Sequence, residues 1–312
     1  MRKFLSSFAV VALLFLQAAC GSPADDDATP VATSSPSAAP FPVSVDAANG
    51  SVTIESRPTR IVSLSPTLTE MLFAVGAGDQ VEAVDEFSTF PSDAPTTDLS
   101  GYEPNLEAIV SYDPDLVVLD TDAGDVVEGL TSLKVPVVML PAARTLEESY
   151  EQIDTVGTLT GHGPEATEVT ADMREEIGTI VASVPAVADD TSVYHELDDT
   201  YYSVTSDTFI GQVYEMFGVE NIADEAKGAG SGYPQLSSEY IVDSDPTLIV
   251  LADGNCCGVT PAKVAARPGW SDVAAVRTGS VIAIGDDIAS RWGPRVVELV
   301  REVGEALGRV NG

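Results

Sequence analysis

Two Gly-Tyr dipeptides, Gly101-Tyr102 and Gly232-Tyr233, stand before two segments that repeat one another. Glu107-Ala-Ile109-Val110-Ser-Tyr-Asp113-Pro114-Asp-Leu116-Val-Val-Leu119 matches Glu239-Tyr-Ile241-Val242-Asp-Ser-Asp245-Pro246-Thr-Leu248-Ile-Val-Leu251 at a constant offset of 132 residues. Tyrosines at matching points of a duplicated unit can close on a flat conjugated molecule from two sides, by stacking and by burial of ring area. Catalytic signatures are absent: the sequence holds neither a G-x-S-x-G nucleophile elbow nor a Walker-type phosphate loop. That pattern suits a binder better than an enzyme. The two histidines, His162 and His195, are too few for a bare zinc or manganese site built on several imidazoles, so no metal site is expected. His162 reads as a solvated residue of a Gly-His-Gly turn, and His195 ends an expected strand as a candidate pocket residue. Cys256-Cys257 is the oddest pair. Adjacent cysteines in an oxidising compartment can close a strained vicinal disulfide, with free thiols or a metal contact as the alternatives.

The elements that must hold these residues alternate short β-branched runs with helical periods, the pattern of α/β units. Arg60–Leu64 reads as a buried strand, Ser65-Pro66-Thr67 as the turn into a helix with Leu68, Met71, Leu72 and Val75 on its apolar face, and Gly76 as the stop. The same order returns with a strand at Ser192–His195, a cap at Ser206–Thr208, and a helix bearing Phe209, Ile210, Val213 and Phe217. In both repeats a short helix should end near the Asp-Pro, because the residue before proline avoids the α region. Between the copies, Thr145-Leu-Glu-Glu148 is a capping box. Pro164 opens a second helix whose apolar stripe continues for about five turns. The fold expected is α/β: two three-layer lobes joined by a long rigid helix, with a cleft between them. In such units ligands collect outside the carboxyl ends of the strands. This places Ser65, Pro66, Phe87, Phe90, Tyr102 and 120–124 on the first lip, and His195, Tyr201, Tyr202, Tyr233, 253–258 and 286–292 on the second.

Composition sets the partners that can be excluded. Lys and Arg total 15 against 49 Asp and Glu, a formal net charge of −34 over 312 residues. A surface this acidic repels phosphate backbones and favours a soluble monomer. Met1-Arg2-Lys3, the apolar run at residues 4–16, and Ala18-Ala19 before Cys20 resemble a bacterial lipoprotein signal. That resemblance implies residues 1–20 as signal, Cys20 as the lipidated first mature residue, and Gln17 at a position that is usually aliphatic. Residues 21–42 are rich in Ser, Pro, Ala and Asp without apolar period, and read as a disordered tether. The expected organisation continues with an N-terminal lobe over 43–163, a connecting helix over 164–185, and a C-terminal lobe over 186–312.

The stretches RIVSLSPTLTEMLFAVGAGDQV, GYEPNLEAIVSYDPDLVVL, SSEYIVDSDPTLIVL and GDDIASRWGPRVVELV, in this order, resemble the substrate-binding proteins of ABC importers for cobalamin, ferric siderophores and haem. The resemblance spans about residues 58–308. It implies a non-enzymatic, exported protein, lipid-anchored at the outer face of the cytoplasmic membrane, that delivers its ligand to an ABC permease dimer with ATPase subunits. The opening strand, turn and helix are most similar to the cobalamin branch; a hydroxamate siderophore or haem is the alternative ligand, and a sensory subunit or enzyme on the same fold the alternative class. No cofactor is implied beyond the ligand itself. The resemblance further implies that Asp287 and Arg291, with Trp292 beside them, reach the ligand, and that Glu107 and Glu239 engage the permease. Read from spacing alone, those two glutamates complement the starts of short helices.

Overall fold

The computed structural model describes residues 41–310, without the side chains of Asn255 and Cys256. The expected signal, Cys20 and the tether up to residue 40 lie outside the described residues. The described residues open with an antiparallel hairpin of β1 (Val43–Ala47) and β2 (Gly50–Ile54), an element beyond the expected lobes and helix. Two alternating runs flank the two-residue turn Ala48-Asn49, and Gly50, at φ 108°, opens the return strand opposite Ala47. The hairpin docks on a sheet edge. Asn49 donates to Val137 O at 2.9 Å and accepts from the Met139 N–H at 3.0 Å. Unpaired strand edges invite non-native pairing, and the hairpin covers this one.

Behind it, β3 (Ile61–Ser63), β4 (Val81–Val84), β5 (Leu116–Leu119) and β6 (Val137–Met139) form a parallel sheet in the order β4-β3-β5-β6. The helices are α1 (Pro66–Ala74), α2 (Leu106–Val110) and α3 (Val126–Ser132). The second sheet comprises β7 (Ser192–Glu196), β8 (Glu220–Asn221), β9 (Leu248–Leu251) and β10 (Val281–Ala283) in the order β10-β9-β7-β8. Counted within each set, both sheets therefore run second, first, third, fourth. The sequence repeat is a topological repeat. Residues of β5 and β9 are buried throughout, as strands covered on both faces must be.

Capping follows the expected residues. Ser65 and Thr208 cap α1 and, in the second lobe, α6 (Phe209–Glu215). Asn105 and Ser237 cap the equivalent helices α2 and α7 (Ser238–Ser244). Both repeat helices stop before their Asp-Pro, but Asp113 and Asp245 escape the right-handed region by turning left-handed, with φ of 51° and 46°. After β9 come α8 (Gly254–Cys257), α9 (Pro261–Ala265) and α10 (Ala274–Thr278), and after β10 come α11 (Asp286–Ser290) and α12 (Val296–Val310).

The connection is made by α4 (Leu146–Thr160) and α5 (Gly163–Ser183). At ~1.5 Å per residue, α5 is about 30 Å long. It packs on α4 and α12, so the helix just before it and the last described helix brace it. At the crossing with α4, a Cβ on Gly157 would fall 2.4 Å from that of Ala166, so glycine alone permits this approach. The turn between α4 and α5 corrects one expectation. His162 is largely buried, not solvated: its Nε2 lies 2.6 Å from Arg57 Nη2 and 2.9 Å from Gln80 Nε2. Burial, and then the Arg57 charge, lower its pKa below the usual histidine value.

Candidate ligand-binding site

Gly101 lies so close to the end of β3 that a Cβ there would stand 2.5 Å from Leu64 O. This approach seats Tyr102 on the carboxyl end of the sheet with its side chain 78% exposed. Phe87 meets it edge-to-face at 5.8 Å between centroids. Asp85 shapes the turn that carries Phe87, accepting from the Phe87 N–H at 3.3 Å and from the Ser88 hydroxyl. Burial raises the Asp85 pKa, opposed by those two donors. In the second lobe, Ser203 N–H donates to Pro234 O and Thr205 N–H to Gly232 O, each at 2.9 Å. Tyr233 is thereby fixed beside the chain leaving β7. Among the described residues, Phe87, Phe90, Tyr102, Tyr202 and Tyr233 are the exposed large aromatics. All five sit on loops leaving the carboxyl ends of strands. Open aromatic surface gathered at one end of two related sheets can bury area against a flat, largely apolar molecule.

Several expected contacts prove to be scaffold. Ser65 is fully buried, and its hydroxyl donates to Asp120 Oδ2 at 2.8 Å while capping α1, with Pro66 in the first turn. His195 is also fully buried, its Nδ1 2.6 Å from Tyr214 Oη. Tyr201 has a φ of 69° and stacks on Trp270 at 6.0 Å. The Arg267 guanidinium lies over both rings, at 5.2 and 4.7 Å, and pairs through both outer nitrogens with buried Glu196 at 2.6 and 2.5 Å. Tyr201 is therefore wall, and its neighbour Tyr202 carries the open ring.

The 287–292 segment departs furthest from expectation. Arg291 is buried and does not point a free guanidinium at a ligand. Its Nη1 donates to Glu70 Oε1 at 2.5 Å and its Nη2 to Asp287 Oδ1 at 2.6 Å. Trp292 donates its indole N–H to Gln152 Oε1 at 2.9 Å, and its carbonyl accepts from the Ser149 hydroxyl. Glu70, not among the expected site residues, is almost completely buried on α1. Desolvation raises its pKa against the pull of Arg291 and Arg295. Its signal was a lone carboxylate in the apolar run LTEMLF, since a buried acid requires a cation partner.

A family model described as periplasmic binding protein matches residues 61–288, well over half of the chain. The chain belongs to that family. A cobalamin-binding protein of Halobacterium salinarum is 34% identical over 280 residues, covering 86% of this chain and 74% of that one. An ABC-transporter substrate-binding lipoprotein of Bacillus subtilis is 30% identical over 300 residues, covering 93% and 92%. Among solved structures, a possible iron-binding, periplasmic solute-binding protein of Staphylococcus epidermidis superposes with a TM-score of 0.71 at 25% identity, covering 80% and 99%. The two-lobe α/β architecture is that of the family, and the family is one of extracytoplasmic solute binders, not enzymes.

The remaining expected residues, Glu107, Glu239 and Cys257, are exposed. Glu107 and Glu239 are exposed, each the second residue of its helix, α2 and α7. Cys257 is a free, exposed thiol at the end of α8, and the Cys256 side chain of the considered vicinal ring lies outside the described residues. Among the described residues no group of His, Cys, Asp or Glu is placed to hold a metal ion. No described helix is long and apolar enough to cross a membrane.

The burial of His195 has a measurable consequence. Desolvation lowers its pKa from 6.5 to about 4, so the unfolded chain takes up the proton first on acidification. A depressed folded pKa means its contribution is whole above pH 6.5 and is lost as the pH falls towards 4. Within that window the unfolding free energy should drop by about 1.4 kcal/mol per pH unit from this residue. Denaturant titrations of His195→Phe against wild type should show a shallower slope in the variant; equal slopes would contradict it.

Proposed function

We propose that the protein captures a cobalamin-type corrinoid outside the cytoplasm, as a lipid-anchored monomer held through Cys20, and delivers it to an ABC permease. The observation that carries this reading is the equivalent placement of Tyr102 and Tyr233, both open to solvent, at the carboxyl ends of two sheets of the same topology. Each ring can bury on the order of 150–250 Å² against a planar macrocycle. The naming of the Halobacterium salinarum relative points to the same ligand class. Electrostatics support a ligand fringed by neutral amides. Arg267, Arg291 and Arg295 are each paired with buried Glu196 or Glu70. Haem propionates or catecholates would have to compete with those carboxylates.

Iron carried as haem or as a hydroxamate siderophore is the second reading, favoured by the description of the Staphylococcus epidermidis structure. The purified protein should be mixed separately with cyanocobalamin, haem and ferrichrome, freed of unbound ligand by gel filtration, and scanned in the visible range. Retention of cobalamin alone is the expected result. Retention of haem or ferrichrome in its place would overturn the corrinoid assignment. The permease contact is assigned to Glu107 and Glu239, one on each lobe.

A further inference from the structure

Residues Arg291–Arg295 follow α11 of the second lobe, yet their side chains work on the first. Arg291 Nη1 and Arg295 Nη1 both reach Glu70 Oε1, at 2.5 and 3.3 Å. Arg291 Nη2 also donates to the carbonyl of Phe87 at 3.1 Å. The Arg295 guanidinium lies 4.4 Å from the centroid of the Phe90 ring. Gly293 fits between them against α1: a Cβ there would come within 3.3 Å of Thr67 Cγ2. Glu70 Oε2 is buried with no hydrogen-bond partner, so this carboxylate depends on the two arginines. Phe87 and Phe90, the rings of the first lip, are thus each held by a cation from the second lobe.

The turn that bears them is not fixed by packing alone. A cavity of about 150 Å³ lies along it, lined by Asp85, Glu86, Ser88, Thr89 and Pro91 among others. Asp85 and Thr69 hold Ser88 at the centre of the turn, and the two arginines add the contacts at Phe87 and Phe90 on either side of it. We propose that Glu70, Arg291 and Arg295 form an inter-lobe clasp that positions the Phe87–Phe90 lip. In this role the arginines are positioning residues and do not touch the ligand. The chemistry suits arginine specifically, because one planar guanidinium can bond a carboxylate and a carbonyl in divergent directions, and another can lie flat on a ring. Lysine, a compact point charge, keeps the charge and loses the geometry. The proposal rests on the corrinoid reading only for its effect on affinity.

The test pairs Arg291→Lys with Arg295→Met, which leaves the Arg291–Glu70 pair in place and removes the cation from Phe90. Hydrogen–deuterium exchange needs no ligand and reads the lip directly. Both variants should show faster exchange confined to amides 86–90, with the thermal midpoint near wild type. Cyanocobalamin affinity by calorimetry should fall about tenfold, the scale of a misplaced aromatic contact. If wild type binds no cobalamin, the exchange result still judges the clasp. Unchanged exchange at 86–90 in both variants would overturn it. So would faster exchange spread over both lobes with a lowered midpoint, which marks an ordinary stabilising ion pair. Faster local exchange with unaltered affinity, in a wild type that binds, would also refute the positioning role.

Discussion

Charge reversal of Glu107 and Glu239 together should abolish ligand-stimulated ATP hydrolysis by the reconstituted transporter, while ligand affinity in solution stays at the wild-type value. Both carboxylates are exposed, and among the described residues neither makes an ion pair. Each helix already has a neutral cap: Asn105 Oδ1 accepts from the Ala108 N–H and Ser237 Oγ from the Tyr240 N–H, both at 3.1 Å. The glutamates therefore add only the usual helix-terminus term, about 0.3–1 kcal/mol each. Reversal should cost little stability. Two like charges at equivalent places on two lobes, by contrast, fit a two-fold permease and would set both orientation and encounter rate. The informative assay is ATPase activity in proteoliposomes, with and without cobalamin, for the double mutant Glu107→Lys/Glu239→Lys. Normal stimulation would reduce the two residues to helix-terminal charges.

The second large effect belongs to the rings. Tyr102→Ala combined with Tyr233→Ala should weaken cobalamin binding by about a hundredfold or more. Each ring is expected to contribute ~1–3 kcal/mol, and substitutions on separate lobes should add. Stability should hardly change, because the two side chains are 78% and 50% exposed and bury little in the fold. A useful contrast is Tyr214→Ala, a fully buried ring beside His195, which should lower the unfolding midpoint sharply. Isothermal calorimetry and thermal unfolding on the same preparations separate the two classes. Unaltered affinity in the double mutant would eliminate the clamp.

The lobes and their relation were legible because their determinants are local and written twice. Glu, Ile-Val, Asp-Pro and an apolar tetrad recur in one order, and the matching sheet orders bear this out. Tyr102 and Tyr233 were legible for a similar reason, since each glycine before them marks a close backbone approach or a left-handed turn. What escaped depends on distant partners. Arg291 and Glu70 are 221 positions apart, and nothing in GDDIASRWGPR distinguishes a cation facing a ligand from one facing a buried acid. His162 sits in a Gly-His-Gly sequence that describes a turn well. Its burial comes from Arg57 and Gln80, 105 and 82 positions away. Ser65 and His195 lie where strands end, as expected, but the side-chain direction at a strand end was beyond the pattern.

The braced connector bears on unloading. With α5 held by α4 and α12, the two walls of the cleft cannot swing far apart by thermal motion at small cost. Entry of a solute should then require no slow gating step, and on the proposed reading its residence time would be set by Tyr102 and Tyr233. Departure is a different matter. A carrier of this construction should hold its cargo until an outside agent does mechanical work on it, and on the proposed docking α2 and α7 would be the two points of purchase, one on each lobe. Were the lobes levered apart there, the bracing of α5 by α4 and α12 would favour return of the empty carrier to its starting shape.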